Sequence, residues 1–202
     1  MTDLSPHARA RLCKNLVLGI TGAVAASWMP PRLQTLRALV ADEVNVVMTR
    51  GALRFLTPLA VSAISGQPAL TDEDMWNDKR VPHITLSRSA DLVLVMPASA
   101  RILASCARAA CDDFLSTLIC ATPDSTPVVF VPSMNETMWR NRLVTSNVAL
   151  LRDAGYHVID PIEGIEVATG HEVYGGMIDM PTLYHTLAAI LSQRREESFQ
   201  DS

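Results

Sequence analysis

Short apolar runs alternate with longer segments of helical spacing along almost the whole chain. The runs are rich in β-branched residues, which favours buried strands. Five strands are predicted, at residues 15–22 (running into a glycine turn), 44–48, 91–96, 128–131 and 156–159. Helices are predicted at 23–40, 52–64, 99–120, 135–154 and 180–192, with a short helix or turn at 84–89 and a loop at 66–80. Proline interrupts the first two helices, so each is expected in two pieces.

This alternation is typical of an α/β protein with one parallel sheet covered by helices on both faces. The crossovers between strands are expected to be right-handed. Because no repeat or linker is evident, we predict one domain at residues 15–192, between an N-terminal tail at 1–14 and a charged C-terminal tail at 193–202. In such sheets ligands bind beyond the carboxyl ends of the strands.

Composition narrows the functional classes. The chain has 202 residues, 49% of them hydrophobic, which excludes a disordered protein. Its 17 basic and 21 acidic side chains argue against nucleic-acid binding. No apolar run is long enough for a membrane span and no secretory signal is evident, so a cytoplasmic protein is expected. The four cysteines form no CxxC pair; they are interpreted as buried reduced thiols, and no metal site is predicted.

Most of the candidate functional residues lie at or just after the ends of the predicted strands. Gly19-x-x-Gly22 is suited to a phosphate beside a helix N-terminus, although an ordinary turn explains it equally well. Thr49 lies at the end of the next strand, where its hydroxyl is suited to the same anion; the alternative is that it is an exposed residue without a binding role. His83, in a polar loop, is a candidate general base, and His171 lies in a glycine-rich loop.

The stretch from Pro132 to Trp139 is the most distinctive. It follows a buried strand and opens a helix. The neutral amide of Asn135 is able to hydrogen-bond a carboxylate, and it also suits a helix cap. Met138 and Trp139 are candidates for an apolar pocket wall, against the ordinary alternative of core packing.

Taken together, these motifs resemble the homo-oligomeric flavin-containing cysteine decarboxylases over about residues 15–191. The resemblance rests on the segments 19–26, 47–49, 97–100, 111–117 and 132–139, together with His83. It implies a flavodoxin-like (Rossmann-like) three-layer α/β/α fold with a flavin at the strand ends. It further implies a trimer, or a dodecamer of trimers, with sites between protomers.

The resemblance also assigns roles to residues. His83 becomes the catalytic base, and Asn135 holds the carboxylate that leaves as carbon dioxide once the cysteine has been oxidised by the flavin. The implied substrate-binding residues are Asn135, Met138, Thr169, His171 and Met177. The implied flavin-binding residues are Gly22, Ala23, Val24, Thr49, Pro97, Ser99, Ala100, Arg101, Asp113, Ser133 and Met134. FMN is the family default, with FAD left open.

Two departures from the family pattern refine the expected function. Thr169 stands where the phosphopantothenoylcysteine enzymes carry the cysteine that serves as acid in reducing the enethiol, and no cysteine follows Cys120. This favours a lantibiotic-type enzyme that converts the C-terminal cysteine of a ribosomal precursor peptide to an aminoenethiol, for aminovinyl-cysteine formation. The alternatives are phosphopantothenoylcysteine decarboxylation in coenzyme A biosynthesis, a flavin prenyltransferase-like activity and a non-catalytic regulatory subunit. Secondly, Ala23 and Arg101 replace small polar residues at the flavin, and Arg101 is a candidate phosphate ligand.

Overall fold

A parallel five-stranded sheet, in the order β2-β1-β3-β4-β5, forms the centre of the molecule. The computed structural model describes residues 11–76, 81–165 and 170–200. The strands are β1 (Cys13–Ile20), β2 (Ala41–Met48), β3 (Leu92–Ala98), β4 (Val128–Pro132) and β5 (His157–Val158). The helices are α1 (Met29–Leu39), α2 (Pro58–Ser65), α3 (Pro82–Ser89), α4 (Ala100–Ala107), α5 (Phe114–Cys120), α6 (Glu136–Trp139), α7 (Arg142–Asp153) and α8 (Met180–Gln200). Short 3-10 helices occupy Val24–Trp28, Ala52–Arg54 and Asp72–Met75.

Alternate residues of each strand supply two separate cores, one on each face of the sheet. In β3, Leu92, Leu94 and Met96 pack in one core, whereas Val93 and Val95 pack in the other. Helices α1, α2 and α8 cover the first core, and α4, α5 and α7 cover the second. Burial on both faces explains why the strands read as continuous apolar runs. The predicted three-layer, flavodoxin-like fold is confirmed, and the strand order is the flavodoxin order.

Two of the predicted helices are each broken into two. Residues 99–120 form α4 and α5, separated by a turn in which Ala109 and Cys111 adopt φ values of 49° and 48°. The side chain of Asp113 caps the new helix, accepting the Ser116 N–H at 2.7 Å. Residues 135–154 form α6 and α7, and Asn141 caps the second by accepting the Leu143 N–H. Local capping therefore overrides an apolar spacing that runs on without a break.

The ends of several elements also differ from the prediction. Strands β3 and β4 continue through Pro97 and Pro132, which were expected to follow them. Strand β1 begins at Cys13, within the predicted N-terminal tail, and residues 193–200 continue α8 rather than forming a tail. None of the described helices is both long and apolar enough to cross a membrane.

An antiparallel pair of strands was missed altogether by the sequence pattern. Strand β6 (Ile162–Ile165) pairs with β7 (Glu172–Gly176) outside the main sheet. Both strands are short and contain glycine, so their propensity signal is weak. This hairpin packs beside the start of α6, where the backbone N–H of Met134 donates to the carbonyl of Gly175 at 3.3 Å.

Candidate active site

A cavity of about 430 Å³ lies beyond the carboxyl ends of β1, β3 and β4. This volume is in the ordinary range for a small-molecule or cofactor site. The residues that line it are Gly22, Ala23, Val24, Ala25, Trp28, Ser99, Ala100, Ser133, Met134, Asn135, Met138, Gly164, Val173, Gly175 and Gly176. The structure thus brings together nine of the residues predicted to bind flavin or substrate, from three segments far apart in sequence.

Thr21 ties two of these segments together. Its side chain is 1% exposed, and its Oγ1 donates to the carbonyl of Pro97 at 2.6 Å. The same oxygen accepts the backbone N–H of Ser99 at 2.9 Å. One hydroxyl therefore fixes the end of β1 against the end of β3 and the start of α4.

Two helices begin at the cavity without a side-chain cap. The 3-10 helix Val24–Trp28 starts after Ala23, and α4 starts after Ser99; neither has an acidic residue in its first turn. The first N–H groups of a helix have no acceptor within the helix, and they carry partial positive charge. Backbone donors from both helices are thus available to an anion at this end of the sheet.

Gly22 and Gly51 bring two loops into direct backbone contact. A Cβ atom on Gly22 would lie 2.8 Å from the Cα of Gly51, closer than side chains pack. Glycine at position 22 therefore lets the turn after β1 rest against the loop after β2. The turn that lines the cavity is held from behind by backbone rather than by a side chain.

Asn135 lines the cavity and caps the helix that follows it. Its Oδ1 accepts the backbone N–H of Met138 at 2.8 Å and so caps α6. Because the oxygen is engaged, the NH₂ group with its two donors is the part that is available to a ligand. The expectations of a cap and of a carboxylate-binding amide are therefore compatible in a single side chain.

The apolar wall of the cavity differs from the one predicted. Met138 lines the cavity and is 46% exposed, and Trp28, at 52%, joins it. Trp139 packs against the second core instead, so its interpretation as core packing holds. Consecutive helical residues point about 100° apart, which separates Met138 from Trp139.

The hairpin of β6 and β7 closes one side of the cavity almost entirely with backbone. Gly164, Gly175 and Gly176 line this side together with Val173. Gly175 has a φ of 148°, and a Cβ there would collide with the carbonyl oxygen of Met134. The family resemblance pointed to this segment of the chain through Thr169, His171 and Met177, but it did not single out Val173 or the glycines, because their position depends on packing between distant segments.

Arg101 and Asp113 do not line the cavity, although both were predicted at the flavin. The guanidinium of Arg101 donates to Asp113 and to Asp112, each at 2.8 Å. The hydrogen bond to Asp113 raises the pKa of Arg101. Partial burial opposes ionisation of Asp112, but hydrogen bonding from Ser105 and the charge of Arg101 bring the pKa of that carboxyl below its ordinary value. The charge proposed for a phosphate is thus neutralised within the α4–α5 connection.

Four further predicted residues, Thr49, Pro97, His171 and Met177, are not among those that line the cavity. Thr49 is buried, with its Oγ1 3.4 Å from the carbonyl of Ile20. Met177 is buried in the first core. Pro97 contributes the carbonyl that Thr21 binds, and His171 is exposed directly before β7. Thr169 falls outside the described residues.

His83 lies apart from the residues that line the cavity. It is near the start of α3, 8% exposed, with its ring edge-to-face to Phe114 and Trp76 at centroid distances of 6.4 and 6.3 Å. Among the described residues, no group hydrogen-bonds its buried Nδ1. An imidazole with an unpaired nitrogen needs a partner that this part of the chain does not supply.

Comparison with known proteins decides the family. Residues 4–192 match the Flavoprotein family. The chain belongs to that family. The resemblance to the flavin-containing cysteine decarboxylases is confirmed, and so is the expectation of a flavin cofactor, with FMN as the family default.

Curated relatives of this flavoprotein include proteins named for phosphopantothenoylcysteine decarboxylation and for coenzyme A biosynthesis. A probable phosphopantothenoylcysteine decarboxylase of Streptococcus mutans is 33% identical over 85% of this chain and 96% of its own. The coenzyme A biosynthesis bifunctional protein CoaBC of Escherichia coli is 36% identical; the match covers 89% of this chain but only 43% of that protein. The curated relatives thus support the phosphopantothenoylcysteine alternative better than the peptide prediction.

Solved structures extend the comparison. A cysteine-to-serine mutant of PPC decarboxylase complexed with pantothenoylaminoethenethiol is 28% identical, with a TM-score of 0.78 over 89% of this chain and 98% of that one. The FMN-dependent cysteine decarboxylase SpaF is also 28% identical, with a TM-score of 0.75 over 92% and 98%. The protein is therefore an enzyme of the flavin-dependent cysteine decarboxylase type.

The cavity of this flavoprotein fits the chemistry of FMN. The uncapped N–H groups in the first turns of the helices that begin after Ala23 and after Ser99 suit a phosphate or the polar edge of a flavin ring. Val24, Trp28 and Met138 supply apolar surface for a planar ring. Phosphate binding by backbone donors requires no basic side chain, which is consistent with the pairing of Arg101 to carboxylates.

Proposed function

We propose that this protein catalyses the oxidative decarboxylation of a cysteine whose nitrogen is acylated and whose carboxylate is free, releasing an aminoenethiol. The observation that carries the proposal is the capped amide of Asn135 in the cavity. Its NH₂ group is able to hold the substrate carboxylate without changing protonation state. A bound flavin would accept the two electrons removed from the substrate.

The residues around Asn135 support selection of such a substrate. Trp28 and Met138 form an apolar surface beside the amide, which suits the sulfur and β-carbon of the cysteine side chain. The hairpin leaves a backbone-lined slot in which an acyl group is able to lie extended. Carbon dioxide leaves as a neutral molecule, so the hydrogen bonds to the carboxylate do not impede its release.

The catalytic base is proposed to come from a second copy of the chain. His83 does not line the cavity that contains Asn135, and its Nδ1 has no partner among the described residues. A homo-oligomer, trimeric or built from trimers, would place His83 of one protomer at the cavity of the next. That arrangement is what the family resemblance implies.

Phosphopantothenoylcysteine is the substrate favoured by the relatives. The Streptococcus mutans protein and the decarboxylase-containing CoaBC proteins are the most similar curated sequences given above. With Thr169 in place of the family cysteine, however, the chain has no thiol after Cys120 to complete the reduction. The solved cysteine-to-serine mutant of PPC decarboxylase contains pantothenoylaminoethenethiol. This supports an enethiol as the product when the present protein, which lacks that cysteine, acts on phosphopantothenoylcysteine.

A peptide with C-terminal cysteine is the second candidate. The absence of a cysteine after Cys120 favours this candidate, because the peptide reaction ends at the enethiol and needs no thiol to reduce it. The similarity to the FMN-dependent cysteine decarboxylase SpaF is consistent with a cysteine substrate of either kind.

Mass spectrometry separates the two candidates. The purified yellow protein is incubated with phosphopantothenoylcysteine and, separately, with a short peptide ending in cysteine. The substrate that is used should lose about 46 mass units, one carbon dioxide and two hydrogens. A loss of about 44 mass units, from decarboxylation followed by reduction, would contradict the enethiol product. No reaction with either compound would contradict the proposed activity.

Mixed oligomers test the shared site. His83→Asn and Asn135→Ala should each retain flavin and lose turnover, since each removes one of the two groups. If the groups come from different protomers, co-assembly of equal amounts restores about a quarter of the wild-type sites. If both act within one chain, the mixture stays inactive.

A further inference from the structure

Two of the four cysteines are exposed, one in the connection between α4 and α5 and the other at the last residue of α5. Cys13 is buried and Cys106 is partly buried, but Cys111 and Cys120 are exposed. The sequence-based expectation of uniformly buried thiols is therefore wrong for this pair. Neither residue lines the cavity that contains Asn135.

The turn after α4 brings Cys111 back onto α5. Cys111 has a φ of 48°, a conformation that reverses the chain at this point. Its carbonyl lies 3.2 Å from the Oγ1 of Thr117 in α5. Cys120 follows three residues later in that helix and so lies on the same face as Thr117. Cys111 and Cys120 are therefore placed on the same side of α5, and after burial, interaction between the two thiols is a cause of the raised pKa of Cys111.

The third nearby thiol, Cys106, is held differently. It packs against the second core, and burial raises its pKa, so it stays protonated and shielded. No set of three metal-ligating side chains was found within the described parts of the chain, which argues against a metal as the reason for the cluster. The exposed pair is thus the chemically accessible part of it.

We propose that Cys111 and Cys120 form a reversible intrachain disulfide when the protein meets hydrogen peroxide. Peroxide oxidises one thiol to a sulfenic acid and releases one water. The sulfur of the second thiol displaces the hydroxyl, the S–S bond forms, and a second water leaves. Two thiols and one peroxide therefore give one disulfide and two waters. Because burial and contact with Cys120 raise the pKa of Cys111, the reaction should accelerate toward alkaline pH.

The disulfide would close a ring from Cys111 to Cys120. That ring contains Asp112 and Asp113, which pair with Arg101 at the start of α4. It also contains Phe114, whose ring contacts His83. Oxidation therefore fixes the connection between the helix that begins at the cavity and the helix that contacts the proposed base.

Tryptic peptides make the test specific. Residues 109–140 form one peptide with both Cys111 and Cys120, whereas residues 102–108 contain Cys106 alone. The full-length protein is reduced, freed of reductant, treated with peroxide and alkylated before digestion. We expect peptide 109–140 to become about two mass units lighter than its reduced form and to carry no alkyl group, while peptide 102–108 is alkylated. Reductant added after peroxide should restore alkylation of both sites.

Three variants provide the controls. Cys111→Ser and Cys120→Ser should each abolish the lighter peptide, and Cys106→Ser should leave it unchanged. A disulfide that joins Cys106 to either residue would overturn the proposal. So would a disulfide between two chains on a non-reducing gel, or full alkylation of peptide 109–140 after peroxide treatment.

Discussion

Replacing Thr21 with valine should destabilise the protein and weaken flavin binding together. Valine has nearly the same shape but lacks the hydroxyl. The carbonyl of Pro97 and the N–H of Ser99 would both lose a partner, at present 2.6 and 2.9 Å away. Each unsatisfied group in a buried position costs about 1–3 kcal/mol. With two such groups, the expected loss in the free energy of unfolding is about 2–6 kcal/mol, which corresponds to a fall in Tm of about 4–24 °C for a domain of this size.

Urea unfolding of the flavin-free protein, at one fixed protein concentration, measures the loss in stability. Titration with FMN, followed by quenching of flavin fluorescence, measures the effect on the cavity. Thr21→Ser is the matched control, because it retains the hydroxyl and removes only a methyl group. If Thr21→Val and Thr21→Ser are equally stable and bind FMN equally, the proposed tie between β1, β3 and α4 is refuted.

Three further changes test other parts of the structure. Asn135→Ala should lower kcat/KM at least tenfold with FMN still bound, and Asn135→Asp should do the same because its charge repels the substrate carboxylate. Steady-state kinetics measure both variants, with Asn135→Gln as the comparison. If all three variants match wild type, the proposed role of Asn135 is wrong. Gly22→Ala should push the turn after β1 away from Gly51, lower the free energy of unfolding by about 1–3 kcal/mol and reduce the affinity for FMN. Urea unfolding measures the stability and FMN titration measures the affinity. Unchanged values of both would contradict the backbone contact. Because the pKa of Asp112 is lowered in the folded protein, its contribution to stability is present above the ordinary pKa of about 3.9 and is lost as the pH falls through the folded value. The difference in urea stability between wild type and Asp112→Asn should therefore shrink below about pH 4, and a difference that grows there would reverse the assignment.

The fold could be predicted from sequence because strands buried on both faces of a parallel sheet appear as short, continuous apolar runs. The β-branched runs at β1, β2 and β3 are apolar on both faces, and each is separated from the next by helical spacing. The break between α4 and α5 was missed because no glycine or proline marks it; the turn uses Ala109 and Cys111 in unusual conformations. The only local signal is Asp113 placed three residues before Ser116, the pattern of a capping box.

The candidate site was predictable where it lies next to a strand end. Ser99, Ser133 and Asn135 follow β3 and β4 directly, and all three line the cavity. The pairing of Arg101 with two carboxylates could not be foreseen, since it depends on how the chain turns after α4. The lining residues of the hairpin depend on packing between segments that a sequence pattern does not connect.

The glycine-rich wall has a consequence for substrate range. Gly164 and Gly176 face one another across the hairpin, with a Cβ on Gly164 only 3.3 Å from the Cα of Gly176, so this side of the slot has almost no side-chain volume. The width of the slot is thus set by the main chain, whereas the carboxylate recognition that we propose is assigned to Asn135, on a different segment. A change in acyl-group size would be accommodated or rejected at the hairpin, leaving the decarboxylation chemistry untouched, and the hairpin is accordingly the place to alter which cysteine-containing molecules enter.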